Sequence, residues 1–366
     1  MTIKHGSLLK EAESRIAELI LFGFKGLELE AETQRFLKEE APSGIILFAH
    51  NYESPAQMLE LNLSAQDLAP TGRPFWVSVD HEGGRVQRFR KGFTLLPEAA
   101  LYASADSPQL IFEISQMVAR ELRAVGINLN FAPVADIHTN PKNPVIGKRS
   151  FGESPEETSK LVTAWVRGHL KENVQPCVKH FPGHGDTTVD SHFALPKVDT
   201  ALELMQSREF IPFQRAFKSG CPFVMSAHIV CPALDPSRPA TLSGHILIPL
   251  LRQQLRFTGV ILSDDMEMKA ITDHFGEELA PVLAIQAGCD ALLYRSEEKA
   301  RAGLDGLRKG LHNGTLSPDR VIESVERNAQ LRKETLAHLP RPQMTEISRW
   351  VGTEENAALV ARIPKA

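Results

Sequence analysis

Five stretches of the chain carry ionisable or polar side chains directly after a short apolar run. They are Asp80-His81-Glu82-Gly83-Gly84-Arg85-Val86-Gln87-Arg88; Asn130 and Asp136 with the loop 143–152, which contains Arg149; Lys179-His180-Phe181-Pro182-Gly183-His184-Gly185-Asp186, continuing to Asp190-Ser191-His192; Ser226-Ala227-His228; and Ser263-Asp264-Asp265. Ionisable groups at the ends of buried segments are unfavourable unless paired or used. One such site is compatible with packing alone; five together point to a catalytic pocket. Two chemistries fit. A strand-end carboxylate in a polar pocket can attack an anomeric carbon while a second group protonates the leaving oxygen and then activates water. Alternatively, His180, His184, Asp186, Asp190 and His192 are metal-ligand types, which suits a metal-dependent hydrolase. The second signal is weak, since these residues sit in a Gly-rich loop with no H-E-x-x-H or H-x-H pattern.

The elements that must position these residues are legible as eight short apolar runs: Leu19–Phe24, Gly44–Phe48, Phe75–Val79, Ile127–Phe131, Pro176–His180, Phe223–Ala227, Gly259–Ser263 and Ala291–Tyr294. Nearly continuous apolar character marks strands covered on both faces. Amphipathic stretches lie between them. Ser154-Pro155-Glu156-Glu157 reads as a cap, a first-turn proline and acidic residues favoured by the helix dipole, opening a helix to about Lys171. Helices are also expected over Thr200–Ser219 and Leu279–Gly288, with Gly126 and Gly288 as helix stops. Eight β-then-α units in roughly 300 residues predict an α/β fold, a single-domain (β/α)8 TIM-like barrel over residues 1–339. A doubly wound sheet is the alternative. Residues 340–366, with Pro340 and Pro342 at the start, are expected to pack on the barrel or remain partly disordered.

Composition bounds the partners. The 366 residues are 42% hydrophobic and 23% charged, with a formal net charge of -4, which argues against nucleic acid or an anionic membrane. No run reaches the ~18 apolar residues of a membrane span. Residues 1–17 mix Lys, Glu and Arg and lack the apolar core of a secretory signal. The four scattered cysteines, Cys177, Cys221, Cys231 and Cys289, read as reduced, packed thiols. A cytoplasmic monomer without metal or cofactor is expected.

Three segments then carry a resemblance. They are Val79 through Arg88, Lys179 through Thr187 continuing over Asp190-Ser191-His192, and Gly259-Val260-Ile261-Leu262-Ser263-Asp264-Asp265. With them the chain resembles the bacterial β-N-acetylglucosaminidases of glycoside hydrolase family 3 over most of residues 10–335. The Asp-Ser-His ending of the middle segment is similar to the signature of that branch, and the chain is too short for the second α/β domain of the glucosidase branch. His81 stands where the family pattern has Gln, with a small effect on substrate preference expected at most. The resemblance implies Asp264 as covalent nucleophile, His192 as acid/base and Asp190 as its partner. It implies Asp80, Arg88, Arg149, Lys179 and His180 as sugar-binding residues. It also implies a retaining exo-hydrolase of terminal β-linked N-acetylglucosamine from peptidoglycan-derived muropeptides, in cell-wall recycling.

Several readings of single residues complete the expectation. Asp265, on the opposite side of an extended strand from Asp264, should cap or support. Glu82 and Arg85 should brace the turn at Gly83-Gly84, and His184 should order its loop. A related β-glucosidase, a phosphorylase using phosphate instead of water, and an inactive sugar-binding barrel are the remaining alternatives.

Overall fold

The computed structural model describes residues 2–105, 107–187 and 195–364. Eight parallel strands close into a barrel: Ile20–Gly23, Gly44–Leu47, Trp76–Val79, Leu129–Asn130, Gln175–Phe181, Phe223–Ser226, Val260–Asp265 and Ala291–Tyr294. Each pairs with its neighbours in sequence, and the first closes on the eighth through Ile20↔Leu292 and Phe22↔Tyr294. This is the expected (β/α)8 architecture. No helix among the described residues is long and apolar enough to cross a membrane.

The strands read as continuous apolar runs because both faces are buried, and alternation divides them. Leu21, Ile46, Trp76, Leu129, Cys177, Phe223, Met225, Val260, Leu262, Ala291 and Leu293 fill the barrel interior. Their neighbours Ile20, Phe22, Ile45, Leu47, Val77, Val79, Val178, Val224, Ile261 and Leu292 face the helices instead. Inside, Trp76 meets Phe223 edge-on, with ring centroids 5.0 Å apart. Gly44 is required here, because a Cβ at that position would lie 2.0 Å from the Trp76 carbonyl oxygen.

The helix Pro155–Lys171 begins as its sequence dictates, with the Ser154 hydroxyl accepting from the Glu157 N–H. The expected single helix over Thr200–Ser219 is instead two, Leu202–Ser207 and Phe210–Lys218. Pro212 accounts for the break. A proline cannot donate to the carbonyl four residues back, and its ring would collide with it, so the chain turns at Arg208. The fifth strand carries Lys179 and His180 as expected and runs on to Phe181, and the seventh runs on to Asp265, so Asp264 and Asp265 also lie on a strand rather than in a loop.

Charges at the lower, N-terminal rim of the barrel are buried and saturated. Asp290, which precedes the eighth strand and has no exposed surface, pairs with Arg327 at 2.6 Å, Arg320 at 3.1 Å and Arg252, and accepts from the Ile261 N–H at 2.9 Å. Glu18 similarly binds Arg332 at 3.0 Å, Arg15 at 2.9 Å and Arg73. Features at this rim serve stability rather than chemistry. Asp290→Ala leaves three guanidinium groups without their shared anion. It should lower unfolding stability by about 3–5 kcal/mol, measured by urea titration, while kcat/KM of the folded fraction stays within about twofold of the parent.

Candidate active site

The upper rim carries the opposite arrangement, an open pocket lined with charge. A cavity of ≈ 360 Å³ is walled by Asp80, Glu82, Arg85, Arg88, Arg149, Lys179, His180, His184, Asp264, Asp265 and Arg295, with Phe48, Val86, Pro144, Val145 and Met268 at its sides. Its floor is apolar: Ile46, Met225 and Leu293 belong to both the cavity and the barrel interior. The strand register therefore decides which side chains project into the cavity and which pack below it.

Lys179 organises the cluster. It is 2% exposed, and its ammonium lies 2.7 Å from Asp80 Oδ1 and 2.7 Å from Glu82 Oε1. Glu82 is also held by Arg149 in a two-point contact, Nη2 to Oε1 at 2.7 Å and Nε to Oε2 at 2.8 Å. Asp80 takes a longer bond from Arg88 Nη2, 3.3 Å. Burial alone would raise both carboxyls. Lys179 and Arg88 nevertheless hold Asp80 below the usual range, and Arg149 and Lys179 hold Glu82 well below it. The turn that brings Glu82 and Arg85 to the rim is a two-stranded ribbon, His81–Gly83 with Val86–Gln87, whose Gly83 and Gly84 have φ of 106° and 52°. Those left-handed values are open to glycine and strained for other residues.

A second unit forms around Asp136, which is fully buried. It accepts from His180 Nδ1 at 2.7 Å and from the His184 backbone N–H at 2.6 Å. Burial would raise this carboxyl, and His180 and His184 hold it down. Because Nδ1 is taken by Asp136, the His180 ring is fixed in orientation. His184 Nδ1 bonds Thr187 Oγ1 at 2.8 Å, and burial pushes its imidazole down to about 4. Asn143 ties the two loops together, its amide donating to the His184 and Gly185 carbonyls at 2.8 Å each.

Asp264 lies at the tip of the seventh strand. Burial works to raise its carboxyl, but the nearby His180 and His228 imidazoles and the Asp265 N–H keep it below the usual carboxylate range. It is thus an anion at neutral pH in a cavity lined by charged and polar groups. Asp265 does support its surroundings, accepting from the Glu267 N–H at 2.9 Å and pairing with Arg295 at 2.9 Å. It is not on the opposite side from Asp264, however, since both line the cavity. The reason is an extra residue in the seventh strand. Ala291 pairs with Leu262 but Leu293 with Asp265, and such a bulge turns a side chain that simple alternation would direct elsewhere. Burial pushes Asp265 up to about 7, against the pull of Arg295.

Asp264, Asp80, Arg88, Arg149, Lys179 and His180 are thus brought to one pocket. Asp190 and His192 lie outside the described residues. The chain leading to them is anchored at Asp186, which binds Thr200 Oγ1 at 2.8 Å and Arg208 at 3.2 Å. Among the described residues no group of three or more His, Cys, Asp or Glu side chains is arranged to hold a metal ion.

Four features differ from the sequence expectation or escaped it. Glu82 is a member of the charge cluster and lines the cavity, rather than merely bracing a turn. Asp136, noted as polar but given no role, is the carboxylate that orients His180. Arg295 follows the eighth strand, which had no polar strand-end site assigned; an arginine directly after an apolar run was the available signal. His81 faces away from the cavity, within 5.8 Å of Phe89 and 5.7 Å of Phe93 by ring centroid. Burial depresses its imidazole to about 3. It therefore stays neutral in an aromatic cluster and does not line the cavity.

The chain matches the glycosyl hydrolase family 3 N terminal domain over residues 11–331. It is 37% identical over 304 residues to a "Beta-hexosaminidase" of Methylococcus capsulatus, covering 81% of this chain and 88% of that one. A "Beta-hexosaminidase" of Idiomarina loihiensis is likewise 37% identical, over 75% of this chain and 82% of its own. Among solved structures, a family 3 β-N-acetylglucosaminidase from Paenibacillus sp. superposes with a TM-score of 0.92 at 37% identity, over 96% of this chain and 68% of that one. NagZ from Neisseria gonorrhoeae, solved with zinc ion, superposes with a TM-score of 0.77 at 30% identity, over 94% and 96%. A barrel whose strand ends converge on one ionised aspartate, matched along most of its length to these hydrolases, belongs to glycoside hydrolase family 3, and the chain is a glycoside hydrolase.

Proposed function

We propose that the protein is a retaining exo-β-N-acetylglucosaminidase that removes terminal β-linked N-acetylglucosamine from peptidoglycan-derived muropeptides, acting in the cytoplasm during cell-wall recycling. The observation that carries the chemistry is Asp264, an anion below its ordinary pKa in a small pocket beside Asp80, Arg88, Lys179 and His180. A volume of ≈ 360 Å³ is at the small end of the roughly 300–1,000 Å³ typical of ligand pockets, which suits one sugar ring rather than a polymer. The identity of the sugar is supported by the related β-N-acetylglucosaminidases, and the muropeptide aglycone by the family resemblance.

In this reading an Asp264 carboxylate oxygen attacks C1 as the glycosidic bond breaks, and the leaving oxygen takes a proton from His192. The resulting glycosyl ester is attacked at C1 by water, which gives a proton back to His192 as Asp264 leaves. Two inversions give net retention. Asp190 supports the imidazole by favouring its protonated form. Asp80, whose oxygens retain free lone pairs beside Lys179 and Arg88, accepts sugar hydroxyls; Arg88, Arg149, Lys179 and His180 surround the rest of the ring.

Three outcomes are expected. Asp264→Asn should lower kcat by at least about 10³-fold, and a slow fluorosugar substrate should label the peptide containing Asp264 in the parent enzyme; turnover at the parental rate would sink the reading. His192→Ala should lower turnover of poor leaving groups by about 10²–10⁴-fold but that of activated aryl glycosides much less; equal losses on both would contradict proton delivery to the leaving oxygen. Lys179→Gln removes the cation that offsets burial at Asp80. Because that cation depresses the Asp80 pKa, its loss must raise it, moving the acid limb of kcat/KM to higher pH. An unmoved acid limb would show that Asp80 need not be ionised for binding.

A further inference from the structure

Arg88 is weakly tethered for a sugar-binding group. Among the described residues its one side-chain hydrogen bond is the 3.3 Å contact with Asp80, and its buried Nε has no partner. The guanidinium otherwise lies over the Phe48 ring, 5.7 Å from the centroid. Where Arg88 reaches is therefore decided mainly by its backbone, the loop between Gln87 and Leu96.

That loop is closed from within and fixed from outside. The Gln87 amide donates to the Phe89 carbonyl at 3.1 Å and the Thr94 carbonyl at 2.8 Å, and its oxygen accepts from the Leu96 N–H at 2.9 Å. The outer fixing point is Glu121, on the helix Pro108–Ala124 and outside the cavity. Its Oε1 accepts from Thr94 Oγ1 at 2.6 Å, from the Gly352 N–H at 2.7 Å and from Asn356 Nδ2 at 3.0 Å, and the Thr94 N–H approaches both oxygens at 3.3 Å. One nearly buried carboxylate thus joins the Arg88 loop to the C-terminal extension. Backbone meets backbone at the same place. Gly352 has φ of 64°, and a Cβ there would lie 2.1 Å from the Gly92 carbonyl oxygen.

The extension is itself held to the barrel. Its helices Met344–Trp350 and Glu354–Val360 turn Ile347, Val351, Leu359 and Val360 toward the core, and Ile363 is buried. Arg120, one residue before Glu121, lies over the Trp350 ring at 5.3 Å.

We propose that residues 343–363 are a strap that, through Glu121 and Thr94, fixes the loop carrying Arg88, making Glu121 a positioning residue for sugar binding. The inference rests on the reading of Arg88 as a sugar ligand. A carboxylate buried between two segments far apart in sequence is an unfavourable way to fill space. It suits a junction, because one acceptor oxygen can serve donors from both sides.

The test uses full-length Glu121→Leu, Gly352→Val, Glu121→Gln and Arg88→Ala, with hydrogen–deuterium exchange of residues 88–96 and steady-state kinetics on a chromogenic β-N-acetylglucosaminide. Glu121→Leu and Gly352→Val, which disturb the junction from opposite sides, should each speed exchange of the loop. Each should raise KM about tenfold, with kcat within about twofold. Glu121→Gln, which keeps the shared acceptor, should remain near the parent in both. Adding Arg88→Ala to Glu121→Leu should raise KM little beyond Arg88→Ala alone, since both act through one contact. Unchanged loop exchange in both junction variants overturns the strap. Faster exchange with unchanged KM, while Arg88→Ala raises KM, overturns its link to binding. An unchanged KM in Arg88→Ala instead fails the reading of Arg88, and the proposed link to binding falls with it, while the exchange measurement still decides whether the strap holds the loop.

Discussion

The upper rim depends on one buried cation. The carboxylates of Asp80 and Glu82 leave the third strand two residues apart, and both are turned toward the barrel mouth, away from bulk water. Neither could remain ionised there alone, because desolvation would drive each to take up a proton. Lys179, rising from the fifth strand, sits at 2.7 Å from both and lets them stay charged. Arg149 adds a second cation on the outer side of Glu82. Such a network gains little net stability over a well-packed apolar core. Its consequence is geometric: three chain segments far apart in sequence are locked in one arrangement, and Asp80 is left charged with acceptor capacity to spare.

The two ends of the barrel use the same residue types to opposite effect. At the lower rim Asp290 is surrounded by Arg252, Arg320 and Arg327 and also takes backbone and hydroxyl donors from Ile261 and Ser324. Its hydrogen-bonding capacity is filled by the protein. At the upper rim, among the described residues, Asp80 meets one lysine closely and one arginine loosely, and Asp264 takes a single hydrogen bond, from the Asp265 N–H. Carboxylates left short of partners are poised to interact with something else. This contrast in partners runs alongside a contrast in burial, since Asp290 has no exposed surface and the Asp80 side chain is 17% exposed.

The barrel was legible in the sequence because parallel strands covered on both faces write themselves as uninterrupted apolar runs, and because polar residues begin where those runs reach the mouth. The helix 155–171 was legible because its cap and first turn are local chemistry. What escaped reading depends on distant partners or on breaks in regularity. Glu82 belongs with Arg149 and Asp136 with His180, pairings that no local window contains. The bulge at Asp264-Asp265 defeats an argument built on strict alternation. Pro212 was a local signal for a helix break and was outweighed by the amphipathic pattern around it. His81 has a polar side chain in a polar motif, yet Phe89 and Phe93, which follow it at short range, claim it for an apolar cluster.

The electrostatics around Asp264 suit the proposed two-step reaction in a further way. Its negative charge is favoured by nearby imidazoles, His180 and His228, and by reciprocity that charge favours the protonated form of any imidazole that approaches it. A loop histidine reaching the glycosidic oxygen beside an ionised Asp264 is therefore inclined to hold the proton that the first step requires. Once Asp264 is esterified, its charge is gone. On the proposed mechanism, an imidazole at the glycosidic oxygen then has one anion fewer to favour its proton and binds it less tightly. It becomes the better base at the step where water must be activated. On the proposed mechanism, the nucleophile's own change of charge moves the acid/base in the needed direction at each step.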